Sequence, residues 1–141
     1  MKKMVVPNEI LLAEASDLLS RGIEVILMTK GNSMLPFIRG EKDSVNLKKY
    51  GAVEVGDIVL ARIAPDRYVL HRIIAIEGDK VTLMGDGNLI GTESCQLSDI
   101  LGTVHEIIRP NGSKKRVTDG SLWRKLLPVR RYLLWIYKKL I

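Results

Sequence analysis

The stretch YVLHRIIAIEGDKVTLMGDGN, residues 68–88, decides the fold class of this chain. Tyr68 to Ile76 and Val81 to Met84 are short runs rich in β-branched and aliphatic side chains. Glu77-Gly78-Asp79-Lys80 between them carries the Gly and Asp that a tight reversal needs, so the pair reads as a β-hairpin. The second run closes on Gly85-Asp86-Gly87-Asn88, a further turn signal. Side chains alternate across a strand, which puts Val69, His71 and Ile73 on one face.

The same pattern extends in both directions. Val25 to Met28, Val45 to Leu47, Ile58 to Ile63 and Leu101 to Ile108 are runs of the same kind, punctuated at Gly31, Gly40 and Gly56-Asp57. The expected architecture is therefore mainly β with tight turns. Before it, Leu11, Leu12, Ala15, Leu18 and Leu19 follow the three-and-four spacing of an amphipathic helix over about residues 8–21, with Asn8 after Pro7 as its cap and Gly22 as its end. Pro110-Asn111-Gly112-Ser113-Lys114 makes a polar break, so the chain divides into an N-terminal helix (1–22), a β domain (23–110) and a linker with a basic amphipathic helical tail (111–141).

Residues 1–108 hold 12 Lys and Arg against 15 Asp and Glu, whereas residues 109–141 hold 10 against one. The overall charge of +6 thus joins a mildly acidic domain to a strongly basic tail, which argues against a nucleic-acid-binding domain with a uniform basic face. In residues 120–141 Trp123, Tyr132, Trp135 and Tyr137 stand among Arg and Lys, the composition of a helix lying in a membrane interface. A helix docked on the domain with its basic side in water has the same composition, and both readings stay open. The lone Cys95 excludes an internal disulfide and fits a reducing compartment, so a cytoplasmic location is expected, with the tail as a peripheral membrane contact. No run approaches the ~18 apolar residues of a spanning helix, and the N-terminus lacks the apolar core of a secretory signal. Two His and one Cys at these separations fit no zinc pattern, no glycine loop joins a strand to a helix for phosphate, and no cofactor is expected.

Ser33 lies in Gly31-Asn32-Ser33-Met34-Leu35-Pro36, where Gly31 permits unusual backbone geometry and Pro36 stiffens the exit. Taken alone, a turn serine is a solvated hydroxyl or a local backbone partner. Catalysis needs a proton acceptor, and His71, within an apolar strand, has the imidazole best suited to that work near neutral pH. His105 reads as an exposed strand residue. Asp86, at the close of the hairpin that begins at His71, is in range to orient the imidazole, or else is a turn aspartate bonding its own backbone. Asp57 and Asp43 read as turn residues ahead of buried strands, and Cys95 as a buried thiol.

Together Ser33-Met34-x-Pro36, Val55-Gly56-Asp57-Ile58-Val59, His71-Arg72-Ile73 and Gly85-Asp86-Gly87-Asn88 resemble, in order and spacing, the type I signal peptidases and LexA-like serine peptidases. The nearest branch is the archaeal and endoplasmic-reticulum one, which has histidine where the others have lysine. The resemblance spans about residues 23–108 and implies a signal-peptidase-like complex β fold and a Ser33–His71 dyad in hydrogen-bond contact. It also implies an extended peptide or precursor-protein substrate with small side chains before the cut. Three features depart from the pattern: Thr92, with Glu93 beside it, where the branch has a second acidic residue; Gly31 where relatives can have an oxyanion-hole hydroxyl; and no spanning helix. The expected function is an endopeptidase trimming a leader, signal or precursor peptide. The alternatives are a catalytically silent peptide-binding module of the same fold and a regulator, although one helix before residue 23 is too short for a helix-turn-helix.

Overall fold

A computed structural model describes residues 2–4 and 9–140 of the chain, with side chains from Leu12 to Leu140. Strands β1 (Lys2–Met4), β2 (Val25–Met28), β3 (Ser44–Lys48), β4 (Ile58–Ala64), β5 (Arg67–Glu77), β6 (Lys80–Met84), β7 (Glu93–Gln96), β8 (Ile100–Ile108) and β9 (Lys114–Arg116) form one sheet. Its order is β1-β2-β3-β8-β4-β5-β6-β7, with β9 added to β8. All pairs are antiparallel except β1 with β2. The chain is mainly β, and each of the six runs expected as strands is one.

Helix α1 (Glu9–Ser20) occupies the expected span, while the capping expected of Asn8 lies outside the described residues. Gly22, at φ +80°, ends it: Ile23 N–H reaches the Leu18 carbonyl at 3.0 Å and Gly22 N–H that of Leu19 at 3.0 Å. These two bonds satisfy carbonyls the helix leaves open, and only glycine takes that backbone conformation without strain. Ala15 and Leu19 face the sheet, and Leu19 sits where a Gly102 side chain would stand.

Strand β4 explains why Ile58-Val59-Leu60-Ala61 is apolar throughout. Ile58 and Leu60 join one core with α1, β2, β3 and β8, whereas Val59 and Ala61 join a second with β5, β6, β7 and Ile100. Alternate side chains thus serve opposite faces, both buried, at about 2 kcal/mol for each fully buried aliphatic side chain. The hairpin at Glu77–Lys80 forms as expected, with Gly78 at φ +60°.

The segment after residue 110 differs from a simple linker and tail. Lys114–Arg116 adds β9 to the sheet, and Pro128 splits the helical part into α2 (Ser121–Lys125), a 3-10 turn at Leu127–Val129 and α3 (Arg130–Leu140). Arg130 and Leu134 are buried, while Tyr132, Trp135, Ile136 and Leu140 are exposed along another face of α3. Among the described residues no helix is long and apolar enough to cross a membrane.

Candidate active site

Ser33 sits in the turn between β2 and β3. Met34 and Ile38 sink into the core beneath α1, so hydrophobic burial anchors the turn on both sides of Pro36. Gly31 has φ +77°, and a side chain on Gly40 would overlap the Gly31 backbone; the two glycines let the ends of the turn close on each other. Asp43 fastens that closure. It ends the turn ahead of buried β3 as expected, and it is also fully buried, accepting from Arg39 N–H at 2.8 Å, Arg39 Nη2 at 3.1 Å and Arg109 Nη1. Thr29 Oγ1 donates to the Asp43 carbonyl at 2.7 Å. Burial by itself would raise the Asp43 carboxyl, but the Arg39 hydrogen bonds and the Arg109 charge outweigh it and hold the group below its ordinary value.

His71 lies on β5 opposite Val59 of β4 and is buried. Its Nδ1 is 2.6 Å from Glu93 Oε1. Sheet register accounts for this pair: Ile73 faces Leu83, and Leu83 faces Glu93, so the three share one side of the sheet. His71, two residues before Ile73, is on that side too. A carboxylate only accepts, so the proton of this bond resides on Nδ1, and in the neutral ring Nε2 keeps a lone pair for accepting another. Nε2 borders Gly85, whose missing side chain would lie 3.1 Å from it and would overlap the Ser33 carbonyl oxygen. Ser33 and His71 line one cavity of about 300 Å³, walled by Leu27, Leu60, Tyr68 and Leu70. No hydrogen bond joins their side chains, so the direct contact expected of a dyad is not made in this structure. The arrangement holds a hydroxyl and an oriented imidazole at one apolar cavity, the components of nucleophilic attack assisted by a general base.

Asp86 does not orient His71. Its carboxylate receives Arg72 Nε at 2.9 Å and Arg72 Nη2 at 2.7 Å, a two-point pair with side chains 1% and 2% exposed. The physical reason is again alternation. Arg72 is adjacent to His71 and therefore points to the other face, where it stands opposite Met84, and Asp86 follows Met84 by two residues. A buried guanidinium also needs a carboxylate far more than a neutral imidazole does. Arg72 Nη1 reaches the Gly56 carbonyl at 2.8 Å and the Thr118 carbonyl, and the guanidinium lies 5.1 Å from the Phe37 ring centre.

Glu93 and Arg72 are the residues whose roles the sequence did not disclose. Glu93 was visible only as the carboxylate nearest a position where an acidic residue was missing, and β7 went unrecognised because Cys95 is its one buried side chain. Burial, followed by the Asp99 charge, pushes the Cys95 thiol up, consistent with a packing role. His105 is less exposed than expected, with Nε2 2.9 Å from Glu24 Oε1. Asp57 holds its turn as expected, accepting from Glu54 N–H at 2.9 Å. No protein-family model matches the chain, and no curated protein matches it.

Proposed function

We propose that the protein is a serine endopeptidase of the signal-peptidase and LexA-like kind, with Ser33 as nucleophile, His71 as general base and Glu93 as the carboxylate that orients it. The observation that carries this reading is the 2.6 Å Glu93–His71 bond, which fixes the imidazole with Nε2 beside the Ser33 turn. The reading requires the Ser33 hydroxyl to approach Nε2 on substrate binding, as catalytic hydrogen bonds often tighten only in the complex. Ser33 Oγ then adds to a peptide carbonyl carbon as Nε2 takes its proton, and backbone N–H groups around Ser33 receive the oxyanion. Return of the proton to the leaving amine breaks the peptide bond and leaves an acyl-serine ester, which water, deprotonated by the same nitrogen, hydrolyses. The substrate is a leader, signal or precursor peptide that enters the cavity in extended form.

The test is labelling with an alkyl fluorophosphonate, read by intact mass and peptide mapping. Wild type is expected to label at Ser33, and Ser33→Ala not at all. His71→Ala should slow labelling by at least ~10³, because members of one catalytic unit fail together. Wild type that takes no label while properly folded would leave a peptide-binding module of the same fold.

The same protein is proposed to sit peripherally at the cytoplasmic face of a membrane through residues 120–141. Supporting this, Tyr132, Trp135, Ile136 and Leu140 are exposed at helical spacing on α3, and Lys139 Nζ lies 4.5 Å from the Trp135 ring centre. Arg131, Lys138 and Lys139 flank them, the arrangement that pairs apolar insertion with anionic headgroups. Co-sedimentation with vesicles containing phosphatidylserine should fall when Trp135 and Ile136 are changed to Ser, and should weaken with salt. Equal partition of the two proteins would remove the membrane from the reading.

A further inference from the structure

The Gly85–Asn88 loop is held from two sides: Arg72 grips the Asp86 carboxylate, and residues from the far end of the chain bind the loop's carbonyls. This loop packs backbone to backbone on the Ser33 turn: Gly87 N–H donates to the Ser33 carbonyl at 2.7 Å, and a side chain on Gly87 would overlap the Asn32 carbonyl. Two glycines provide the closeness, and the Asp86 carboxylate fixes the loop on its Arg72 side only. Trp123 Nε1 donates to the Asp86 carbonyl at 2.7 Å, and Arg130 Nη1 to the Asn88 carbonyl at 3.0 Å. Arg130 also donates to the Trp123 carbonyl at 3.2 Å, and its guanidinium lies 5.1 Å from the Trp123 ring centre. The Trp123 ring meets Phe37 edge to face at 6.2 Å, so one indole touches both the loop and the segment that leaves the Ser33 turn.

We infer that Trp123 and Arg130 are positioning residues for Ser33, a clamp built by the C-terminal segment behind the active site. The inference rests on the serine-peptidase reading above and adds the reason the basic segment docks as well as carrying an exposed face. Neither residue lines the cavity shared by Ser33 and His71, so the clamp acts on the Ser33 carbonyl through the loop and leaves the binding walls alone. Freed of it, the loop keeps its Arg72–Asp86 joint but loses the partners of its Asp86 and Asn88 carbonyls, and the Ser33 turn packed on it is held less closely; a small misplacement of this kind is costly for a reaction that depends on orientation.

Saturation labelling of the full chain with the alkyl fluorophosphonate separates the maximal rate of inactivation from the half-saturating concentration. Trp123→Phe keeps the ring against Phe37 and removes only the N–H donor; it should lower the maximal rate about fivefold, the worth of one hydrogen bond. Arg130→Met should lower it tenfold or more, since charged donors contribute more. In both the half-saturating concentration should stay within twofold of wild type, at a temperature where circular dichroism shows each variant folded. Lys115→Gln, on exposed β9, should label like wild type. Unchanged maximal rates in folded Trp123→Phe and Arg130→Met overturn the clamp while leaving Ser33 as nucleophile, as does a loss that appears only in the half-saturating concentration. Absence of labelling in wild type overturns the nucleophile itself and the clamp with it.

Discussion

The Gly85–Asn88 loop and the edge strand β7 stand close together in the chain, and each offers one carboxylate to neighbouring residues of β5. The loop buries Asp86 at 2% exposure against the Arg72 guanidinium; β7 leaves Glu93 at 16% against the His71 imidazole, with Arg67 Nη2 a further 3.8 Å away. The first pair is sealed and fully bonded, which suits a fixed structural joint. The second is a single short bond beside a cavity, the arrangement expected if His71 acts as the proposed general base. The comparison teaches that neighbouring residues of one strand, sent to opposite faces of a sheet, take different carboxylates as partners.

The comparison breaks if the two carboxylates prove interchangeable. Asp86→Asn should cost the most, about 3 kcal/mol of stability, because it leaves a buried guanidinium without its counter-charge. For a domain of this size that lowers the melting temperature by roughly 10 °C, measurable by scanning calorimetry. An Asp86→Asn protein as stable as wild type, but inert toward the serine probe, would return the catalytic role to Asp86. Glu93→Gln should do the reverse: melting within a few degrees of wild type, but labelling slowed by ~10², since the amide allows the wrong imidazole tautomer. Full reactivity in Glu93→Gln would reduce the His71 contact to a packing detail.

The smallest effect sharpens the comparison by adding a second structural carboxylate. Asp43 is held below its ordinary value in the folded protein, so the unfolded chain binds a proton at higher pH than the folded one does. Its stabilising contribution is complete above the unfolded value of about 3.9 and is lost as pH falls through the folded one. Urea midpoints measured between pH 6 and pH 3 should therefore drop further for wild type than for Asp43→Asn. Parallel curves would mean that Asp43 takes no part in the acid sensitivity.

Much of the molecule was legible beforehand because its signals are local. Alternation and Gly-Asp punctuation marked six strands and three-and-four spacing marked α1, while the resemblance of four ordered motifs to a peptidase family singled out Ser33 and His71, which share a cavity. β1, β7 and β9 escaped because Lys-Lys-Met, Glu-Ser-Cys-Gln and Lys-Lys-Arg are mostly polar or charged, whereas the equally short Val25–Met28 is an apolar β-branched run.

The sequence by itself determined the mainly β character, the helix at the start, the hairpin at Glu77–Lys80 and the nucleophile and base as candidates. Only the tertiary structure decided which carboxylate meets the histidine, and it also decided that Trp123 and Arg130 reach the loop behind Ser33. The reason is register. A side chain's partner across a sheet depends on which residues stand opposite and on which face they point, and neither is encoded in a spacing along the chain. Asp86 is nearer to His71 in sequence than Glu93 is, but parity gives it to Arg72 and brings Glu93 across two strands to the imidazole.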